Sequence, residues 1–187
     1  LLEGLYLQRE IRDNETLNAT LAEPGLIGIE NVVATAAVYQ DRRGPPTGQP
    51  SLSAQIEALE SRDSEEVEQL LAAVLDPDSD TLGQQDPYDF LPRDYEPGSP
   101  TASARLVLLT QVDDSGETGA PQAAYDAQVA IDGLVDEQFD DAFLFGQGVR
   151  DDASSRATGD SFAIITPFAL VLVVFVLGVT YRDLLDV

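Results

Sequence analysis

The strongest pattern in this sequence is an uncharged and mostly apolar run over residues 161–181. A helix rises about 1.5 Å per residue and the hydrocarbon core of a bilayer is about 30 Å thick, so this run suits one bilayer crossing. It is apolar all round, whereas the core helix of a water-soluble domain keeps a polar stripe. Pro167 near its start and Gly178 near its end are compatible with a membrane helix. The pattern therefore predicts a transmembrane helix.

Four helices are predicted before this run, because apolar residues recur there at helical spacing. The first covers residues 1–23 and ends at a Pro-Gly pair. The next two begin at the predicted N-caps Ser51 and Ser64, and they form a hairpin. The fourth opens at Pro121, a residue type that favours the first turn of a helix.

Three strands are predicted from segments rich in Val, Ile, Leu and Phe, namely residues 26–40, 104–112 and 142–146. The second of these is apolar on both alternating faces, so we expect it to be central in its sheet. Residues 77–101 are rich in turn residues and predict a long irregular excursion. Residues 149–160 are expected to extend the membrane helix toward the preceding domain.

The order of these elements predicts an α+β fold. If the helical hairpin, about residues 51–76, is an insertion, the remainder is αββαβ, one strand short of the ferredoxin-like βαββαβ unit. We expect the missing first strand just upstream of Leu1, since the chain begins without Met. The predicted organisation is a domain over residues 1–157, followed by a transmembrane helix with a short cytoplasmic end over residues 158–187.

The charge balance indicates the environment of the domain. Asp and Glu number 34 against 10 basic residues, all of them arginine, for a formal net charge of −24. Self-repulsion would strain such a chain in dilute buffer, but in molar salt the Debye length falls to about 3 Å. This favours a salt-adapted, haloarchaeal protein with a solvated acidic surface; a cation reservoir or a basic partner are the alternatives. Nucleic acid is disfavoured as a partner, because there is no basic stripe.

The residues that are absent exclude several chemistries. The chain has no Cys, His, Met or Trp, which removes thiolate and imidazole ligands and the usual nucleophile–base pairs. Gly146 and Gly148 give only part of a dinucleotide-binding motif, since Asp151 takes the place of the third glycine and would repel phosphate. We predict that the protein is not an enzyme and has no cofactor.

An acidic segment has part of the spacing of a calcium-binding loop. Asp76, Asp78 and Asp80 stand at the first three ligand positions, but Thr81 replaces the required glycine and Pro87 the final glutamate. No metal site is predicted, although loose cation binding stays open.

Two glycosylation sequons begin at Asn14 and Asn18. They matter only if this part of the chain faces the outside of the cell. Their place in a predicted helix argues against their use, so they are candidate modification sites rather than assigned ones.

The organisation resembles the first extracytoplasmic loop and second membrane helix of exporters of the RND (resistance-nodulation-division) superfamily, in particular its haloarchaeal MMPL-like branch. The resemblance lies in the order and residue composition of the segments rather than in a short sequence motif. The segments that carry it are LQREIRDNETLNATLAEP (7–24), GIENVVATAAVYQ (28–40), SLSAQIEALES (51–61), FLPRDYEPGSPTASARLVLL (90–109) and TGDSFAIITPFALVLVVFVLGVTYRDLLD (158–186).

The resemblance implies a proton-driven, multi-pass exporter in the cytoplasmic membrane, with residues 1 to about 160 outside and the membrane helix running inward to Arg182. The domain would form part of a passage for lipidic or hydrophobic substrates. Its partners would be the lipid bilayer, the remaining membrane helices and second loop domain of the same transporter, and further copies in a homo-oligomer. The family's proton relay lies in later membrane helices, so no site residue is carried over.

The alternative is a single-pass, C-terminally anchored haloarchaeal surface protein with a binding or structural ectodomain. Such an anchor is normally followed by a short basic tail. Residues 181–187 contain one Arg and two Asp, which favours the exporter.

Overall fold

The computed structural model describes residues 1–41, 48–78, 86–99, 101–112 and 122–180, with side chains up to residue 177. Some residues singled out in the sequence lie outside the described ranges: Asp80, Thr81, Pro121 and Arg182. The elements, in chain order, are α1 (Leu2–Asp13), α2 (Glu15–Asn18), β1 (Leu21–Gly28), α3 (Ile29–Asp41), α4 (Leu52–Glu60), α5 (Ser64–Val74), a 3₁₀ helix (Pro87–Phe90), β2 (Val107–Gln111), α6 (Gln122–Gln138) and α7 (Gln147–Thr180). The described chain is thus rich in helix, with a small sheet and one long C-terminal helix.

The N-terminal segment divides into three elements, so the prediction of one helix over residues 1–23 is wrong beyond α1. Asn14 has an extended backbone, and its side-chain oxygen accepts hydrogen bonds from the N–H groups of Thr16 (3.1 Å) and Leu17 (3.3 Å). An Asn at this position ends one helix and caps the next. The chain then enters β1 at Leu21, inside the predicted helix.

The segment predicted as a strand over residues 26–40 is mostly the helix α3, which is a correction to the sequence analysis. Only its first residues belong to β1, which ends at Gly28. The β-branched residues favoured a strand, but α3 is the central helix of the core and contacts α1, α4, α5, β1 and the 3₁₀ helix. Most residues of α3 are buried, including its polar pair Glu30-Asn31, so the segment shows neither the helical nor the strand period clearly.

The core of the N-terminal region gathers around α3. Its buried members come from α1, α3, α4, α5 and the segments that follow α5: Leu5, Ile29, Val32, Val33, Ala34, Ala37, Val38, Ile56, Ala58, Leu59, Leu70, Val74, Leu75 and Phe90. Both helices of the predicted hairpin therefore supply core residues. Ser51 caps α4 as predicted, whereas α5 is capped by Asp63 instead of Ser64.

The described residues contain one sheet, of two antiparallel strands, and a full ferredoxin-like fold is not shown. Leu26 pairs with Leu109, Ile27 with Leu108 and Gly28 with Val107, with an irregularity between Leu21 and Leu26. The predicted strand at 104–112 is confirmed as β2, but not its central place. Among the described residues β2 pairs only with β1, and Leu108 is 49% exposed.

Contacts divide the chain into two compact units, Leu1–Ala127 and Gln128–Val187. The second unit contains α7, which begins at Gln147 and confirms the predicted helical extension. Pro167 consequently lies in the helix interior instead of near its start. A membrane helix tolerates such a proline because its neighbours satisfy the freed carbonyl.

The prediction of a strand at residues 142–146 is wrong. These residues form no strand in the described structure, and Phe143 and Phe145 are 82% and 79% exposed. The N–H of Leu144 donates to a carboxylate oxygen of Asp132 (3.3 Å) in place of a ladder partner. A strand is stable only when its backbone groups find a neighbouring strand.

Candidate functional site

Four buried polar side chains from three helices meet beside the start of α3. Gln8 donates through its amide nitrogen to Glu30 Oε1 (3.1 Å) and to Asn31 Oδ1 (2.9 Å). Asn31 donates in turn to the side-chain oxygens of Gln8 (2.8 Å) and Gln55 (3.0 Å). A buried polar group is costly unless it is hydrogen-bonded. The three amides therefore satisfy one another and tie α1, α3 and α4 together.

The backbone at the start of α3 completes this polar cluster, defined as Gln8, Glu30, Asn31 and Gln55. The N–H of Gly28 donates to Asn31 Oδ1 (2.8 Å), so a side chain of the first turn satisfies the residue that precedes the helix. Glu30 lies in the same turn, where the helix dipole stabilises a negative charge. Its side chain is fully buried, and its Oε2 has no hydrogen-bond partner among the described residues.

Two glycines make room for the Glu30 carboxylate. A Cβ at Gly28 would lie 2.8 Å from Glu30 Oε2, and one at Gly4 would lie 2.9 Å from Glu30 Oε1. Both separations are shorter than van der Waals contact, so a larger residue at either place would displace the carboxylate. The chain thus encloses an acidic side chain that the fold leaves partly unpaired.

An apolar cavity of about 380 Å³ lies in the same unit. Its lining residues come from the chain start, α3, α5 and the segment between the 3₁₀ helix and β2: Leu1, Ile29, Leu71, Leu75, Leu91, Tyr95, Ser99, Thr101, Ala102, Ala104 and Arg105. Arg105 has the one charged side chain among them. Ile29 directly precedes Glu30, so the cavity and the polar cluster share the first turn of α3.

Tyrosine hydroxyls hold the cavity wall in place. Tyr88 donates to the carbonyl of Leu75 (2.6 Å) and Tyr95 to the carbonyl of Ser99 (2.7 Å). Desolvation, with smaller contributions from the nearby Tyr95 and Asp76, raises the pKa of Tyr88 above its ordinary value. Tyr88 therefore stays a neutral donor across the physiological pH range. The Tyr88 bond fixes the irregular segment against the end of α5, and the Tyr95 bond is internal to that segment.

Arg105 connects the cavity to the polar cluster. A Cβ at Gly4 would lie 3.5 Å from Arg105 Nη2 and 2.9 Å from Glu30 Oε1. The guanidinium and the carboxylate therefore face the same point above Gly4, although they form no ion pair within hydrogen-bonding distance. This is the place in the described fold where a cation, a buried acid and an apolar cavity adjoin.

The helix α7 is a second candidate functional region. It is long and apolar enough to cross a membrane, and none of the qualifying stretch is buried. From Phe162 to Leu177 its large side chains are exposed without interruption. The prediction of a membrane-compatible helix is therefore confirmed, as one helix in the described chain.

The sequon residues belong neither to the polar cluster nor to the cavity lining. Asn14 and Asn18 are exposed, but the side chain of Asn14 is engaged as the cap of α2. Thr20 of the second sequon is buried; its hydroxyl donates to the carbonyl of Leu17 (2.8 Å) and accepts from Gln111 (3.1 Å). Glycosylation at either position stays a prediction.

Residues of the acidic loop and of the glycine pair that the structure describes make local hydrogen bonds. The Asp76 carboxylate accepts from the N–H of Asp78 (2.9 Å), and no group of three or more acidic residues in the described ranges is placed to hold a metal ion. Gly148 lies in the first turn of α7, where its N–H donates to Gln128 Oε1 (2.8 Å).

The polar cluster was missed by the sequence analysis, which named no site residue near it. One signal was present: Glu30-Asn31 is the only polar pair within the apolar stretch that runs from Leu26 to Ala34. In a strand these two side chains would point to opposite faces, whereas in a helix the pair can turn toward α1 and α4.

No family model matches the chain, and no curated protein or solved structure is significantly similar to it.

Proposed function

We propose that this chain is part of a proton-driven membrane exporter of the RND superfamily, similar to its MMPL-like branch. In this proposal residues 1 to about 160 lie outside the cytoplasmic membrane and α7 runs inward across it. The observation that carries the proposal is the unbroken course of α7 from Gln147 through an apolar stretch with no buried residue. A continuous helix of this kind would connect a domain in water to a helix bundle in lipid.

The role proposed for the domain is to form part of the passage for lipidic or hydrophobic substrates. The apolar cavity supports this role, because small apolar molecules bind in concave, mostly apolar sites. The apolar stretch at residues 161–177 contains no ionisable residue. An intramembrane proton relay needs such residues, so the proposal places it in membrane helices outside this chain.

Single introduced cysteines test the topology, because the natural chain has none. Ser154→Cys lies in the exposed polar part of α7 and Val174→Cys in its apolar part. In intact cells a membrane-impermeant maleimide is expected to label the first variant and not the second. Labelling of Ser154→Cys only after the cells are opened would show that the domain faces the cytoplasm, and the proposed orientation would be wrong.

Sequencing the gene beyond codon 187 separates the exporter from a single-pass surface protein. The exporter requires another apolar segment of about 20 residues soon after Val187. A stop codon within a few residues would exclude the exporter and leave the single-pass anchor, with the domain as a binding or structural module.

A further inference from the structure

The cavity has two chemically different parts. Most of its wall is aliphatic or aromatic, from Ile29, Leu71, Leu75, Leu91 and other residues. The remaining part carries Arg105, an exposed cation. Lining of this kind suits a ligand with an apolar body and one anionic group, because each part of such a ligand would meet a matching surface.

The volume sets the size of that ligand. The cavity is partly open, and its volume of about 380 Å³ lies near the lower end of the roughly 300 to 1,000 Å³ typical of small-molecule sites, so it suits a small ligand. Water in contact with the apolar wall has few polar partners there, and its displacement by an apolar body is favourable.

Arg105 is available to such a ligand. Its guanidinium forms no hydrogen bond or ion pair with any residue of the described ranges, whereas Arg62 and Arg156 are each paired with an aspartate. A guanidinium offers five N–H donors in a planar fork that matches a carboxylate. Glu30, across Gly4, attracts the guanidinium without occupying its donors.

We propose that this cavity binds a monocarboxylate with an apolar body of about ten carbon atoms, its carboxylate on Arg105 and its body against Leu71, Leu75 and Leu91. In a chain with 34 acidic residues, an unpaired arginine beside an apolar cavity is a rare place where an anion is attracted rather than repelled. As a statement about the exported substrate class this rests on the proposed function; as a statement about binding it concerns this domain alone.

The test uses the full chain in nanodiscs of phosphatidylcholine, a zwitterionic lipid that supplies no net anionic headgroup, in molar KCl. Decanoate, decylammonium and acetate are titrated while the methyl resonances of Ile29, Leu71, Leu75 and Leu91 are followed by NMR. Decanoate is expected to shift these resonances saturably, with a dissociation constant of about 0.1 to 1 mM. Decylammonium and acetate lack one of the two required parts and are expected to cause no saturable shift.

Two variants, each with a matched control, test whether the cationic part and the apolar part of the site both contribute to decanoate binding. Arg105→Gln is expected to weaken decanoate binding roughly tenfold, whereas Arg93→Gln, an exposed arginine outside the lining, leaves it unchanged. Leu71→Asn is expected to weaken binding by a similar factor, whereas Leu7→Asn, a partly buried leucine outside the lining, does not. Retention of the methyl spectrum in the absence of ligand shows that each variant is folded.

Three outcomes would overturn the proposal: no saturable shift with decanoate, equal shifts with decylammonium, or undiminished decanoate binding by Arg105→Gln. Each is independent of the exporter proposal, because the maleimide labelling and the gene sequence do not depend on any ligand. Conversely, a stop codon soon after Val187 would remove the exporter and leave the binding result intact.

Discussion

The core around α3 and the apolar stretch of α7 contain the same types of apolar side chain, but these are buried in the core and exposed in α7. In the core Leu59 is 1% exposed, whereas in α7 Leu172 is 62% exposed. Burying a leucine contributes about 1.5 to 3 kcal/mol relative to leaving it in water. The core obtains this contribution from its own fold, whereas α7 does not. The apolar surface of α7 therefore requires a partner that is not water, and a bilayer is the partner that its length fits.

The difference also shows in the polar groups. Around α3 a buried acid and three buried amides lie among apolar residues, and two glycines leave room for the carboxylate of the acid. In α7 the charged residues precede the apolar stretch, and none lies within it. A water-soluble fold can enclose polar side chains when they satisfy one another, but a helix in lipid has no such partners within its own length.

The largest expected effect concerns the apolar stretch. Changing Val173 and Val174 together to arginine places two charges near its middle and is expected to disfavour membrane insertion by about 6 to 8 kcal/mol. The measurement is the fraction of protein that stays with membranes after alkaline extraction, which is expected to fall from nearly all to a minority.

The control places the same charges on the same helix. Ala153 and Ser154 are exposed in the polar part of α7, and their joint change to arginine is expected to leave the extracted fraction unchanged. If both double variants stay with the membrane, the exposed apolar stretch is not what anchors the chain.

The second prediction compares one substitution in the two regions. Leu59→Ala opens a cavity in the core and is expected to lower the free energy of unfolding of the N-terminal unit by about 2 to 5 kcal/mol. Leu172→Ala removes the same atoms from an exposed position and is expected to leave that free energy unchanged. Urea titrations followed by tyrosine fluorescence measure both. Equal losses in the two variants would show that α7 is part of the same packed core.

The sequence predicted correctly those elements whose pattern of apolar residues fits only one kind of secondary structure. The apolar stretch of α7 is too long and uniform for a core helix, and α5 keeps one clear apolar stripe. By contrast, α3 is buried on most sides, so its apolar residues show no period and its β-branched residues pointed to a strand. The length of that segment, which exceeds an ordinary strand, was the signal in favour of a helix.

The candidate site could not be predicted, because its residues meet only in the fold. Gln8, Glu30 and Gln55 are far apart in sequence, and each is an ordinary surface residue type. Arg105 precedes a strand by two residues, and nothing in its neighbours indicates a cavity. Recognition of the site requires knowing that α1, α3 and α4 converge, which depends on long-range packing that local patterns do not contain.

The third prediction compares glycines in the two units. Gly28→Ala puts a Cβ against the Glu30 carboxylate and is expected to lower the free energy of unfolding by about 1 to 3 kcal/mol. Gly133 lies inside α6 with nothing within 4 Å of an added Cβ, so Gly133→Ala is expected to stabilise the protein by about 0.5 to 1 kcal/mol. Thermal unfolding followed by circular dichroism shows whether each variant is less or more stable than the natural chain.

A double variant identifies the cause at Gly28. If the loss comes from contact with Glu30, Gly28→Ala is expected to cost at least 1 kcal/mol less in the Glu30→Ala background than in the natural chain. Equal losses of unfolding free energy in both backgrounds would show that Gly28→Ala strains the backbone and that contact with Glu30 is not the cause.

The smallest effect concerns the start of α5, where the sequence and the structure name different caps. Asp63 accepts from the N–H of Glu66 (2.9 Å), and the Glu66 carboxylate accepts from the N–H of Asp63 (3.1 Å), which makes a capping box. Asp63→Ala is expected to lower the free energy of unfolding by about 1 kcal/mol. Ser64→Ala touches no capping bond and is expected to change it by less than about 0.5 kcal/mol. Urea titration of the two variants decides between the caps. A larger loss of unfolding free energy for Ser64→Ala would show that Ser64, the N-cap predicted from the sequence, caps α5 after all.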